Sequence, residues 1–368
     1  RLKINNKLDA AGGIDYLKKL SVSVPTTQNV KYYSDIIREK SILRMLIRQA
    51  ESISKMASSE QDTVSQVLER SEQMIFDISS SREQTDIVHI SDVLQSSYDE
   101  MARNAGNKGG ITGIPTGFEE LNKRTGGFHG GELMIIAGRP GMGKSAFALN
   151  IGLNVAKKTD KTVALFSLEM SREQLAMRRL ASESFIEMQK LATGKLNEDE
   201  WGKLCMASAA LSQTDIRIDD NPSVTVADIN AKCRRLDNLG LVVIDYLQLM
   251  QGSGYGKNSE NRVTVVGEIS RSLKIMAKEL NVPVICCAQL SRGPESRTDK
   301  KPMLSDLRDS GAIEQDADVV MLLHKTLDEV SEYEAMPLDV IIAKNRFGPL
   351  GTASMSWYMR SGRIVESR

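Results

Sequence analysis

The sequence predicts an α/β fold with a mainly parallel sheet, preceded by a small all-helical domain. Three observations predict it. From about residue 114 onward, short and nearly all-apolar runs alternate with helical segments, the pattern of strands buried under helices on both faces. The glycine-rich turn "GRPGMGKS" joins one such run to one such helix. Residues 1–80 carry apolar positions at three- and four-residue spacings and little strand signal. A chain of 368 residues is expected to form more than one domain. The expected division is a helical domain over 1–80, incomplete at its start, a linker over 81–113 and an α/β domain over 114–368.

In the first region, "VKYYSDIIREKSILRMLIRQAESISKMAS" spaces Tyr33, Ile36, Ile37, Leu43, Leu46, Ile47, Ala50, Ile53 and Met56 as one long amphipathic helix. "DTVSQVLERSEQMIFDI" continues the helical pattern, and "SSSREQTD" breaks it. In the linker, Ile90, Val93, Leu94, Tyr98 and Met101 form one apolar stripe that "NAGNKGG" ends. A lone helix of that length is marginal in water. Burying its apolar side chains is worth roughly 1.5–3 kcal/mol each before entropy. The stripe is therefore expected to dock, on its own domain or on a neighbouring copy.

In the α/β region, "ELMIIAG" reads as a strand and "KSAFALNIGLNVAKK" as a helix. "TVALFSL" is a strand, and "SREQLAMRRLASES" is a helix with a Ser N-cap. "GLVVIDYLQLM" is a strand and "VVGEISRSLKIMAKEL" a helix. "VPVICCAQL", "DVVMLLH" and "DVIIAK" are further strands.

Composition excludes several classes. Lys+Arg and Asp+Glu balance at 48 each, so no bulk charge draws the chain to nucleic acid or an acidic membrane, although a local basic surface is compatible with this. Cys205, Cys233, Cys286 and Cys287 form no C-x-x-C pair, which argues against zinc and disulfides. Cys286 and Cys287 read as small buried hydrophobes. His89, His129 and His324 are too scattered for metal or triad chemistry. No run approaches the roughly 20 apolar residues of a membrane span, and the N-terminus has no signal-peptide core. A reducing cytoplasm is the expected location.

Gly138 to Ser145 fit G-x-x-x-x-G-K-[ST] between a strand and a helix, the context the motif requires. Backbone N–H groups of such a turn point at phosphate oxygens. Gly141 and Gly143 let the backbone curl, with Arg139, Pro140 and Met142 completing the turn and Ala146 following it. Lys144 supplies a cation to the outer phosphates of ATP, and the Ser145 hydroxyl ligates Mg²⁺. Asp245 ends the apolar run "LVVID", where a carboxylate holds the metal shell. Glu169 follows the first strand after the loop and is placed to act as general base on water; the alternative is an acid capping the next helix. Gln289 ends "VPVICCAQ" and is placed to sense the γ-phosphate; the alternative is a polar strand end. The loop after it is polar and mixed in charge, and such a loop can be moved by the nucleotide state. Lys344 and Arg346 close the apolar run Val340 to Ala343, which on its own reads as a strand meeting water.

Together "GRPGMGKS", "FSLEMS", "VVIDYLQLM", "CAQLSRG", "PMLSDLRDSGAIEQDADVV" and "AKNRFGPLG" closely resemble the motor of DnaB-type replicative helicases, over roughly 110–360 and in the right order. The resemblance implies a RecA-like P-loop core and a homo-hexamer around single-stranded DNA. It implies 5′ to 3′ translocation driven by ATP with Mg²⁺, and a primase and a helicase loader as partners. It places Arg178 near the adenine, and Arg308, Asp309 and Gly311 on the DNA backbone. It places Lys344 and Arg346 at the neighbour's ATP. Asp309 and Phe347 depart from the family pattern, which has Glu and a small polar residue there. A strand-exchange recombinase shares the loop, the acid and the sensor, but the helical region and linker stripe favour the helicase. A nucleotide-gated scaffold without turnover is disfavoured by the complete catalytic set.

Overall fold

The computed structural model describes residues 14–16, 30–59, scattered positions between 63 and 78, 89–105, 111–250, 262–291, 293–297, 300–325 and 335–367. The chain divides into two compact units, Arg1–Asp99 and Glu100–Arg368.

In the first unit, helix α1 runs Val30–Ser59, as its spacing predicts. The described positions from 64 to 78 are helical and include the buried Ile78. The "SSSREQTD" break lies outside the described residues. Helix α2, Ile90–Ala105, runs across the boundary at residue 99 and carries the linker stripe, with Ile90, Val93, Leu94, Tyr98 and Met101 exposed.

The second unit is built on a sheet of nine strands among the described residues. Helix α3 (Glu119–Thr125) leads into β1 (Leu133–Gly138), followed by α4 (Lys144–Lys158) and β2 (Thr162–Ser167). Next come α5 (Arg172–Ser184), α6 (Met188–Thr193), α7 (Glu198–Ser212) and β3 (Ile216–Asp219). Then follow α8 (Val226–Cys233), β4 (Leu239–Asp245), α9 (Arg262–Leu280) and β5 (Val284–Gln289). The chain closes with α10 (Gly311–Asp316), β6 (Val319–Lys325), β7 (Met336–Asn345), β8 (Gly351–Tyr358) and β9 (Arg363–Glu366).

The strand order is β3-β2-β4-β5-β1-β6-β7-β8-β9. The first six strands are parallel, and the last three extend the sheet antiparallel. Strands β1, β2, β4 and β5 are almost wholly buried, which explains their unbroken apolar runs. One core, with Phe147, Ile151 and Leu175, covers one face; the other, with Leu273, Met276 and Ile229, covers the opposite face. Cys286 and Cys287 are fully buried, as expected, and burial holds both thiols protonated.

The sequence pattern anticipated neither β3, β8 nor β9. It also left the direction of β7 open. That direction carries a consequence: Lys344 and Arg346 emerge at the edge of the sheet where β6 begins, since Val319 pairs with Asn345.

Candidate nucleotide site

Parallel strands deliver their C-terminal ends to one edge of the sheet, where α/β ligand sites form. Here the register aligns those ends. Gly138 of β1 lies beside Gln289 of β5, and Ser167 of β2 lies beside Asp245 of β4. The loop after β1 then turns at Gly141 and Gly143, with φ of 75° and 86°, a region that favours glycine. At Gly143 a Cβ would also sit 3.0 Å from the Trp357 ring. Helix α4 begins at once, so its free N–H groups and positive end face the loop.

One cavity of about 620 Å³ lies at this edge, within the size range of nucleotide-sized sites. Lys144, Ser145, Glu169, Asp245 and Gln289 all line it, as do Pro140, Gly141, Gly143, Ala146 and Arg178. Gly138, Arg139 and Met142 do not. Gly138 is the last residue of β1, and Met142 packs on the core. Arg139 is turned away: its Nε and Nη2 donate to Glu295 Oε1 at 2.8 and 2.6 Å, and its Nη1 to the Leu290 carbonyl at 3.1 Å. Arg139 keeps its place in the turn, but its side chain does not line the cavity. It ties the loop to the segment that follows the Gln289 strand.

The charged groups are tuned by burial. Lys144 Nζ donates to the Arg139 carbonyl at 3.2 Å. Burial lowers its ammonium below the ordinary value, partly offset by Asp245 and Glu169. Burial raises the Asp245 carboxyl, with the Ser145 hydroxyl and Cys287 thiol beside it acting the other way. Both Asp245 oxygens are buried, and the Ser145 hydroxyl and Cys287 thiol lie near them without making a hydrogen bond of good geometry. An unsatisfied buried carboxylate is costly, and its natural remedy is a cation. A hydroxyl and a carboxylate, both hard oxygen donors, suit Mg²⁺, which takes few protein ligands and completes its shell with waters and phosphate oxygens. Among the described residues no cluster of three or more His, Cys, Asp or Glu could hold a metal, as a Mg²⁺ site of this kind requires none.

Glu169 does not cap α5. Ser171 does, in a capping box with Gln174, and Glu169 is left exposed to the cavity. The backbone of Gln289 is fixed by Gln248, whose Oε1 accepts from Gln289 N at 3.2 Å and whose Nε2 donates to Gln289 O at 3.3 Å. Beyond it, Arg297 grips the buried Asp306 with two bonds of 2.7 and 2.6 Å, so this loop arginine serves the loop itself. Arg308 and Asp309 lie on the 3-10 helix Leu304–Ser310, and their side chains are outside the described residues. Gly311 opens α10 and is exposed.

Lys344 and Arg346 are not in the cavity. Lys344 Nζ donates to the Glu314 carbonyl at 2.6 Å and the Gln315 carbonyl at 3.3 Å, near the end of α10. Arg346 Nη1 donates to Asp318 Oδ1 at 3.2 Å. Asp318 also accepts from Leu133 N at 2.9 Å, which fixes it at the start of β1. The loop is at the other end of that strand. Six residues at about 3.3 Å each put the two places roughly 16–20 Å apart.

Sequence reasoning missed the far wall of the cavity: Met188, Trp357 and the Arg360–Gly362 turn. The signal was present. Ala353, Met355 and Trp357 alternate with exposed or half-buried residues and are followed by a Gly-containing turn, the mark of a one-sided hairpin strand. Arg179, which also lines the cavity, is buried.

The sequence model described as "DnaB-like helicase C terminal domain" matches residues 113–366, and that described as "DnaB-like helicase N terminal domain" matches residues 1–39. The chain is 49% identical over 363 residues to the replicative DNA helicase DnaC of Bacillus subtilis (strain 168), covering 97% of this chain and 79% of that protein. It is 48% identical over 369 residues to the replicative DNA helicase DnaB of Geobacillus stearothermophilus, covering 99% and 81%. A solved structure described as a DnaB-like replicative helicase and its interactions with primase superposes with a TM-score of 0.74 at 34% identity, covering all of this chain and 86% of that one.

Proposed function

The chain belongs to the DnaB-like helicases, and from that membership we propose how its site works. The protein is a replicative DNA helicase, an enzyme that spends nucleotide to open duplex DNA. Matches to both the N- and C-terminal helicase domains separate it from strand-exchange ATPases.

ATP sits with its phosphates on the Gly141–Ser145 turn, where N–H groups and the Lys144 ammonium offset their charge. Ser145 and Asp245 hold Mg²⁺, which when bound neutralises charge on the outer phosphates. Glu169 takes the proton from the attacking water. Gln289 contacts the γ-phosphate, and its loss is passed through Leu290, Arg139 and Glu295 to the loop that ends in Arg308, Asp309 and Gly311. That loop meets the DNA backbone. A Cβ at Gly311 would meet nothing within 4 Å, and its φ of −53° needs no glycine. A glycine there suits close approach by something outside the chain. Arg178 stands at the rim of the cavity, on the nucleotide's base side.

Arg346 and Lys344 act on a neighbour's ATP in a ring of six. The observation that carries this is their position a full strand length from their own loop. A cation delivered in trans stabilises charge developing on the γ-phosphate. A ring also accounts for the neutral chain, because six copies sum their few phosphate contacts along the DNA. The exposed stripe of α2 is the surface on which one subunit holds the next. We place a primase and a loader among the partners, and the enzyme in the cytoplasm. Among the described residues, no helix is long and apolar enough to cross a membrane.

The test is a forked DNA duplex with a 5′ tail. ATP-dependent unwinding, with ATP turnover stimulated by single strands, is expected. Homologous pairing without unwinding would instead assign strand exchange.

A further inference from the structure

Arg179 is a buried cation that lacks hydrogen-bond acceptors on two of its three nitrogens. It is 7% exposed, and its Nε and Nη1 are sealed from solvent with no acceptor. It lies one turn after Leu175 on the inward face of α5, and it lines the nucleotide cavity. The nearest carboxylate on its own helix, Glu183 at i+4, is committed to Lys157. Arg178, beside it, adds repulsion, and burial with that repulsion brings the guanidinium down to about 10, still charged at neutral pH. A guanidinium keeps its charge even when buried, so it cannot escape the cost by losing a proton. Leaving such a charge unpaired is strongly unfavourable. Glu183 offsets part of this cost through space, but no described acceptor satisfies Nε or Nη1.

We infer that Arg179 is a nucleotide-binding residue whose guanidinium donates to the phosphate oxygens that bound ATP and ADP share. The planar fork of N–H donors matches a phosphate, and the cavity it lines is the one that carries the phosphate loop. This rests on the reading of that cavity as the nucleotide site. Arg179 differs in kind from Lys144, which has an internal acceptor at 3.2 Å. Arg179 waits for its acceptor to arrive with the ligand. The protein therefore carries an unfavourable charge when empty and is relieved of it on binding.

The experiment measures the thermal midpoint of the nucleotide-free full chain, and the Kd for ADP and for adenosine, in wild type, Arg179→Met, Arg179→Lys and Lys144→Ala. Arg179→Met should melt higher than wild type when empty, because an unpaired buried charge has been replaced by an apolar chain of similar length. It should bind ADP about 10- to 100-fold more weakly, the size of one lost charge-assisted hydrogen bond. Arg179→Lys should recover part of the affinity, and the adenosine Kd should be unchanged. A melting point below wild type, or failure of Arg179→Met to fold, would make Arg179 a structural residue and overturn the inference. So would an unchanged ADP Kd, or a loss for adenosine as large as for ADP. If wild type itself binds no nucleotide, or Lys144→Ala binds as well as wild type, the reading of the cavity fails instead.

Discussion

Arg346 donates to Asp318 at 3.2 Å, and Asp318 in turn accepts from the N–H of Leu133, the first residue of the strand whose far end carries the phosphate loop. The two ends of β1 thus hold the two groups to which the proposed chemistry assigns complementary roles. Lys144 serves one edge of the sheet, and Arg346 stands at the other. Lys274 shares the same carboxylate at 2.5 Å, so the charge of Asp318 is divided between two cations and is not spent on Arg346 alone.

Glu169→Gln keeps the shape of the site and removes the carboxylate proposed as its base. Nucleotide binding should survive while hydrolysis falls by 10²-fold or more, the range of general-base contributions. Equilibrium binding and single-turnover hydrolysis, measured side by side, check this. Near-normal hydrolysis would exclude Glu169 as the base.

Asp245→Asn should separate stability from activity. Burial raises the Asp245 carboxyl above its ordinary value near 4. Between the unfolded and folded values the folded state binds more protons than the unfolded, so stability falls as pH rises through that window. Asn bears no such cost. Without nucleotide and Mg²⁺, its melting point should match wild type near pH 4 and exceed it increasingly toward neutral pH. Its ATP turnover should be lost. A variant that melts lower than wild type at neutral pH would show that the carboxylate is satisfied in the empty protein.

The α2 stripe should hold subunits together. A chain beginning near residue 110 keeps the α/β unit and lacks the helix. It should sediment as smaller species at dilute concentration, where the longer chain is expected to sediment as a ring. A ring that persists without α2 would return the stripe to its own domain.

The parts of the site that were legible in the sequence are those where local chemistry fixes both residue and backbone. Gly141 and Gly143 need left-handed φ, Lys144 and Ser145 open a helix, and Glu169, Asp245 and Gln289 follow buried strands whose apolar runs announce where they end. What was not legible depends on partners distant in the chain. Trp357 reaches the cavity only because β8 joins the sheet antiparallel through β7. Strand β3 is half-exposed and four residues long, so it has no apolar run to show. Arg139 sits inside the motif, yet its side chain was claimed by Glu295, 156 residues away. The lone buried state of Arg179 has no pattern at all, since its neighbour Arg178 is exposed and the pair reads as a charged helix face.

The mixed-ring ATPase tests the two-edged site most directly. Arg346→Ala and Lys144→Ala proteins are each expected to be inactive, the first by a factor of about 10³ or more if the cation works as other arginine fingers do. Mixed before ring assembly, they form some interfaces that pair an intact Lys144 with an intact Arg346. A control doped with wild-type subunits sets how many dead subunits a ring tolerates. With that control tolerant, ATP turnover should return in the mixture, rising and falling with the ratio of the two proteins. No turnover at any ratio would contradict the action of Arg346 across the interface and leave it as a surface partner of Asp318.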